Sequence, residues 1–310
     1  MPLPLSLEGA CRIDDWGVIR ARGAEAATFL QSQLTNDVLE LGPGRARLAG
    51  FCSAKGRLQA SFVMWRAAED EFLLACSASL LAPTLKRLSM FVLRAKCRLD
   101  DASAEIRLWG LAGDAASAQI GDAAVWEKRG REGATVIRLP DAEGVARALF
   151  AAPVGIEPEA AATLALADWR WLEVRSGVVM IEAATVDKFV PQMVNFELVG
   201  GVDFQKGCYP GQEVVARSQY RGTTKRRTFL FDGEALAHPG QDVFLAGSEG
   251  EPAGTVANAA ASPAGGGSAL VELRLAALGD GELRLGSADG PALRRAALPY
   301  PVAVDAEAAA

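Results

Sequence analysis

Residues 200–222 read Gly-Gly-Val-Asp-Phe-Gln-Lys-Gly-Cys-Tyr-Pro-Gly-Gln-Glu-Val-Val-Ala-Arg-Ser-Gln-Tyr-Arg-Gly. Gly207 and Gly211 bracket Cys208, and Pro210 fixes φ just ahead of Gly211. From Gln212 the pattern turns helical, with Val214, Val215 and Ala216 supplying an apolar side. The spacing predicts a cysteine in a tight loop just before a helix N-terminus. Unpaired backbone N–H groups and the positive end of the helix dipole favour an anion there. A thiolate is an anion, so the placement lowers the pKa of Cys208. Lys206 pushes the same way if its side chain points inward. Cys208 is the candidate reactive or ligand-capable thiol, with Lys206 tuning it. The alternative is a small buried hydrophobe, the reading that suits Cys11, Cys52, Cys76 and Cys97.

The same stretch is locally basic. Lys206, Arg217, Arg221, Lys225, Arg226 and Arg227 face a single acid, Glu213. Arg217 and Arg221, four apart, share a helix face. Such a segment suits a polyanion, whether a poly-glutamyl tail, a phosphate or an RNA backbone; it equally suits a solvated connector. Trp16, at a strand start, and Trp169, on a helix, are candidates for stacking on a flat heterocycle or for the core.

Outside this region, composition mostly excludes. Lys plus Arg total 32 and Asp plus Glu 38, a formal charge of −6, which argues against a protein that coats nucleic acid. A length of 310 residues suggests two or three domains. The single histidine, His238, sits in a turn-like Ala-His-Pro-Gly and excludes a multi-His metal site. Five cysteines with no CxxC pair argue against a disulfide framework and a metal knuckle, and imply a cytoplasmic compartment. Met1-Pro2-Leu3-Pro4-Leu5 lacks the pattern of a secretory signal. No apolar run reaches the ~18 residues of a membrane span.

Periodicity predicts a strand over 14–21, a short helix over 24–34, a three-strand meander over 45–76 turning at Ala54-Lys55-Gly56-Arg57, and a helix over about 78–93. That helix admits Pro83 only in its first turn. Residues 96–150 alternate β-like runs with Ala-rich helical runs, and 160–176 form a helix stopped by Gly177. Beyond about 228, short β-like runs near ten residues apart predict a small antiparallel barrel or sandwich.

Lys206-Gly207-Cys208-Tyr209-Pro210-Gly211-Gln212-Glu213 resembles the K-G-C-Y-x-G-Q-E hallmark of the YgfZ-type folate-binding proteins, relatives of the glycine-cleavage T-protein, an aminomethyltransferase. Asp14-Asp15-Trp16, the run Phe29 to Val38, Ala54 to Arg57, Phe189-Val190-Pro191-Gln192, Asn195, Gly200 to Phe204, Tyr220-Arg221-Gly222 and Lys225-Arg226 extend the likeness collinearly. The resemblance implies an α+β fold with two intertwined units, over 1–110 and 111–227, and an antiparallel β-barrel over 228–310, around a folate channel. It implies tetrahydrofolate as ligand, with Trp16 and Trp169 at the folate site and Gln192, Asn195, Tyr209 and Arg217 as further contacts. It implies a role in iron–sulfur cluster assembly or repair, with Cys208 as the essential thiol, and through iron–sulfur client enzymes in tRNA modification. One cysteine cannot hold a cluster that takes four thiolates, so any cluster would be transient and shared with a partner. The chain departs from the T-protein pattern at Leu172-Glu173-Val174-Arg175: Arg175 stands where those proteins carry Glu, and Glu173, two residues off, is expected to face elsewhere. Aminomethyl transfer is the alternative activity, and an RNA-associated regulator the non-catalytic one.

Overall fold

The computed structural model describes residues 7–220, 224–248, 250–279 and 281–303. Arg221, Gly222 and Met1–Leu5 lie outside them. The chain begins with β1 (Gly9–Arg12), β2 (Trp16–Arg22), α1 (Ala26–Gln31), β3 (Ala46–Cys52), β4 (Leu58–Ala68), β5 (Glu71–Ser77), α2 (Ala78–Val92) and β6 (Arg98–Asp101). The middle comprises β7 (Ile106–Ala112), α3 (Asp114–Ile120), β8 (Lys128–Arg131), β9 (Ala134–Ala142), β10 (Val145–Pro153), α4 (Leu166–Arg175) and α5 (Gln212–Tyr220). The last strands are β11 (Arg226–Gly233), β12 (Asp242–Leu245), β13 (Gly254–Ala261), β14 (Gly267–Arg274), β15 (Leu283–Leu285) and β16 (Ala292–Ala296).

Two five-stranded antiparallel sheets and a closed barrel result. The first sheet has the order β3-β4-β5-β2-β6, the second β1-β7-β10-β9-β8, and the barrel β11-β14-β13-β12-β15-β16. The units interleave, because β1 leaves its sequence neighbours and pairs with β7, with Gly9 opposite Ala112. The meander strands are apolar on both faces, since one packs on helices and the other on the neighbouring sheet. Phe51, Phe62, Trp65 and Phe72 are fully buried, each contributing on the order of 2–3 kcal/mol.

Two expectations change. Pro83 lies in the second turn of α2, not the first; Leu80, Leu81, Thr84 and Leu88 bury one face of that helix and hold it across the missing backbone donor. Of the Ala-rich runs in 96–150, 114–120 is helical, but 145–153 is a strand, because it lies between β7 and β9 and bonds to both.

Residues 178–211 link α4 to α5 and thread between the first sheet and the barrel. Asn258 of β13 grips this link like a backbone partner: Met180 N–H donates to its side-chain oxygen (2.9 Å), and its amide donates back to Met180 O (2.8 Å).

Candidate functional site

A cavity of about 410 Å³ opens where β2, α4 and β13 meet. Asp15 and Trp16 line it from the start of β2, and Ser77 and Ser79 from the start of α2. Arg170 and Glu173 reach in from α4, Met180 and Glu182 from the link, and Asn258 from the barrel. A narrower, mostly apolar cavity of about 30 Å³ adjoins it, sharing Trp16, Glu173, Val178 and Met180 and adding Leu48, Trp126 and Arg147. Arg170 pairs with Asp15 and with one oxygen of Glu173, and its guanidinium lies 5.9 Å from the Trp16 ring. The other oxygen of Glu173 is buried without a partner. Arg147 is also buried with its Nε unpartnered, and burial pulls its guanidinium down to about 10. Burial likewise raises the Glu182 carboxyl, against a 2.7 Å hydrogen bond from Asn258.

Glu173 is a correction. It was expected to face elsewhere, yet it walls both cavities. Arg175, 200° round the helix, turns to the barrel, donating to Glu143 (2.6 Å) and to Asp232 on β11 (2.9 Å). A cavity-facing carboxylate is therefore present one helix face away from the aligned position.

Trp16 lines both cavities, but Trp169 lines neither. It is fully buried, one layer behind, with the Arg147 guanidinium 4.4 Å from its ring centroid. Gly110 makes room for the indole: a Cβ there would stand 2.6 Å from Cε2.

The remaining expected residues gather around the cysteine loop. Lys206 Nζ donates to the carbonyl oxygens of Gln31 and Leu34 (2.6 Å to Leu34), capping the C-terminal end of α1. The Tyr209 ring centroid lies 4.9 Å from that ammonium. Burial brings Lys206 down to about 8, partly opposed by Asp37, Asp203 and Cys208, and raises the Tyr209 phenol. Thr35 and Asn36 tie the same turn to the carbonyls of Gly201 (2.6 Å) and Gly200 (2.7 Å). The run Phe29–Val38 thus serves as the anvil on which the cysteine loop is shaped. Cys208 is exposed and free, whereas Cys11, Cys52 and Cys76 are buried, with thiols pushed up to about 12 by desolvation. Cys208 is not in the lining of either cavity.

Gln192 and Asn195 lie outside the lining of either cavity. Both are fully buried and their amides bond backbone carbonyls, of Val215 (2.8 Å) and Thr228 (2.7 Å) respectively. They fasten the link to α5 and the barrel. Tyr209 and Arg217 are likewise outside the lining, and Arg217 pairs with Glu213 at 3.0 Å on the exposed side of α5.

Among the described residues of the basic segment, Lys225 is exposed without an ion pair, while its arginines are paired. Arg226 pairs with buried Glu272, and Arg227 with Glu197, whose side chain is 5% exposed. These acids lie far off in sequence, so local charge counting missed them. Asp15, Arg170, Arg147 and Trp126 also went unrecognised as wall residues; of these, Asp15 alone had a signal, beside Trp16. His238 is exposed in its turn, as expected. Among the described residues, no group of three or more His, Cys, Asp or Glu is placed to hold a metal, and no helix is long and apolar enough to cross a membrane.

Residues 9–126 match the family model described as GCVT N-terminal domain. The tRNA-modifying protein YgfZ of Edwardsiella ictaluri is 33% identical over 269 residues, covering 78% of this chain and 76% of that protein. The protein of the same name from Escherichia coli O157:H7 is 32% identical over 262 residues, covering 78% and 77%. The crystal structure of glycine cleavage system aminomethyltransferase T from Bartonella henselae superposes with a TM-score of 0.71 at 17% identity, covering 94% of this chain and 86% of that one. The latter likeness establishes the fold, and the former the kinship: this chain belongs to the YgfZ family, built on the aminomethyltransferase T fold.

Proposed function

We propose that this protein binds a tetrahydrofolate in the cavity between β2, α4 and β13 and acts as an accessory factor for tRNA modification by iron–sulfur enzymes, with Cys208 as its essential thiol. The observation that carries the folate reading is the cavity wall itself. Trp16 offers a flat aromatic face, and the unpartnered oxygen of Glu173 offers an acceptor to the N–H edge of a pteridine. Unpartnered Arg147 Nε offers a donor at the inner end. These are the complementary groups a ring with adjacent amide and amino functions needs. Bound there, tetrahydrofolate would supply a reduced pteridine able to carry a one-carbon unit. The residues that would hold it are Trp16, Glu173 and Arg147, with Trp169 supporting Arg147 from behind.

The link to tRNA modification draws on the names of the relatives. The iron–sulfur role draws on family resemblance and on Cys208 being exposed while Cys11, Cys52 and Cys76 are buried. One thiol donates one ligand, so a cluster at Cys208 would be shared with a partner protein.

The test has two arms. Tetrahydrofolate is titrated against intrinsic tryptophan fluorescence for wild type and Trp16→Ala; undiminished affinity in the variant rejects this cavity. A strain lacking its own family member is then complemented and scored by methylthiolated tRNA. Full rescue by Cys208→Ala rejects the thiol's role.

A further inference from the structure

A run of positive charge without carboxylates spans α2 and the segment from it into β6. From Phe72 to Leu99 the sequence holds Lys86, Arg87, Arg94, Lys96 and Arg98 and no carboxylate, in a chain of net charge −6. All five are exposed. Of the neighbouring acids, Asp100 pairs with Arg20 (3.4 Å) and Arg22 (3.6 Å) and Glu105 with Arg20 (2.7 Å), while Asp101 accepts the Ser103 N–H (2.8 Å) and forms no ion pair with the five cations. Glu25 touches the patch only through the Lys96 backbone N–H (2.6 Å). Amid these cations, Met90, Phe91 and Leu93 are exposed, Leu93 by 86%. The Arg87 guanidinium sits 5.7 Å from the Phe91 ring centroid.

We infer that the α2 surface binds RNA that presents unstacked bases, such as a hairpin loop. Five cations without acidic partners match a phosphate backbone and release its counterions. An exposed phenyl ring flanked by an arginine plane and apolar side chains is a platform for a splayed base. An anionic lipid surface would answer to the same charges and apolar side chains, but the guanidinium beside the ring adds a second flat face on which a base stacks. The surface is distinct from the folate cavity, so the inference stands or falls separately from that reading.

The test uses the full-length protein without folate. Fluorescence anisotropy follows a labelled tRNA transcript, a blunt RNA duplex lacking loops, and phosphatidylglycerol vesicles. Wild type is expected to prefer the transcript, with affinity falling steeply as salt rises. Lys86→Gln/Arg87→Gln/Arg94→Gln is expected to lose at least about tenfold in affinity near 100 mM salt and to flatten the log–log salt slope by about two. Phe91→Ser is expected to weaken transcript binding while leaving the slope unchanged. Arg12→Gln/Arg131→Gln, which removes exposed cations elsewhere, is expected to change neither. No transcript binding by wild type, full binding by the triple variant, equal affinity for the loopless duplex, or binding to vesicles in place of RNA would each overturn the inference.

Discussion

Glu173 gives one carboxylate oxygen to Arg170 and holds the other, buried and unpartnered, in the cavity wall. Such an oxygen pairs with a ligand donor at little cost in desolvation, because that cost was met on folding. Glu173→Gln exchanges it for a neutral amide. A hydrogen bond to a charged group is worth about 1.5–3 kcal/mol, so tetrahydrofolate affinity should drop roughly 10- to 100-fold. Arg175→Gln, on the opposite face of α4, should leave it unchanged. Equal losses in the two variants would mean that α4 presents its other face to the ligand.

Lys206 makes stability rise with pH in the alkaline range. Burial brings its folded pKa down to about 8, below the ordinary lysine value. Between the two, the unfolded chain holds more protons than the folded one, so raising the pH favours folding. Lys206→Met has no such proton. The stability of wild type minus that of the variant, from urea unfolding, should therefore grow between pH 8 and about 10.4. Near neutral pH the variant should be about 1–3 kcal/mol less stable, since the carbonyls of Gln31 and Leu34 lose their donor. A difference that is flat with pH would refute the titration.

Gly207 and Gly211 bracket Cys208 in sequence but sit in different surroundings. Gly211 has φ +78, and a Cβ there would stand 2.6 Å from the Gly56 Cα and against the Ser53 carbonyl. Neither neighbour is a side chain that can swing away. Gly207 has open space around it and no left-handed φ. Gly211→Ala should cost on the order of 2–4 kcal/mol, and Gly207→Ala less than about 1 kcal/mol. Similar unfolding midpoints for the two would remove the reason given for the second glycine of the motif.

Exposure separates the thiols as well. Native protein treated briefly with iodoacetamide at pH 7.5 should take up one adduct, on Cys208. Cys11, Cys52 and Cys76 are buried, and desolvation holds their thiols up to about 12. Cys97 is half-buried and also raised, so it should follow more slowly. Peptide mapping that finds early label on Cys52 or Cys76 would contradict the packing of the first sheet.

What sequence discloses here is local, and what it hides is long-range. The loop at Cys208, α5, the meander turn at Gly56 and the evenly spaced barrel strands follow from neighbours in the chain. The partnership of β1 with β7 does not, since it joins residues about a hundred positions apart. Glu173 was misplaced for a related reason: the phase of a helix says which residues share a face, not which face a cavity lies on. Trp169 shows the converse, an aromatic whose helix was correctly found but whose ring lies one layer behind the wall.

Arg227 shows how charge counting by segment misleads, and it yields the sharpest test of the core. Its guanidinium lies on Glu197, a carboxylate almost wholly removed from solvent. Removing one partner of a buried pair costs about 3–5 kcal/mol, because the other charge is stranded. Arg227→Gln should therefore destabilise the protein strongly at pH 7, whatever it does to polyanion binding. Burial already raises the Glu197 carboxyl, and losing Arg227 removes the largest opposing effect, so its folded pKa rises further. A group whose folded pKa lies above its unfolded value favours the fold when protonated, so lowering the pH should return stability. The deficit of Arg227→Gln relative to wild type should accordingly shrink from pH 7.5 to about pH 5, as read by urea unfolding at each pH. Arg227→Gln/Glu197→Gln, which strands no charge, should recover most of the loss at pH 7.5. A deficit that is constant with pH and not repaired in the double variant would mean that Arg227 acts through its bond to the Gln192 carbonyl (2.9 Å) and not through Glu197.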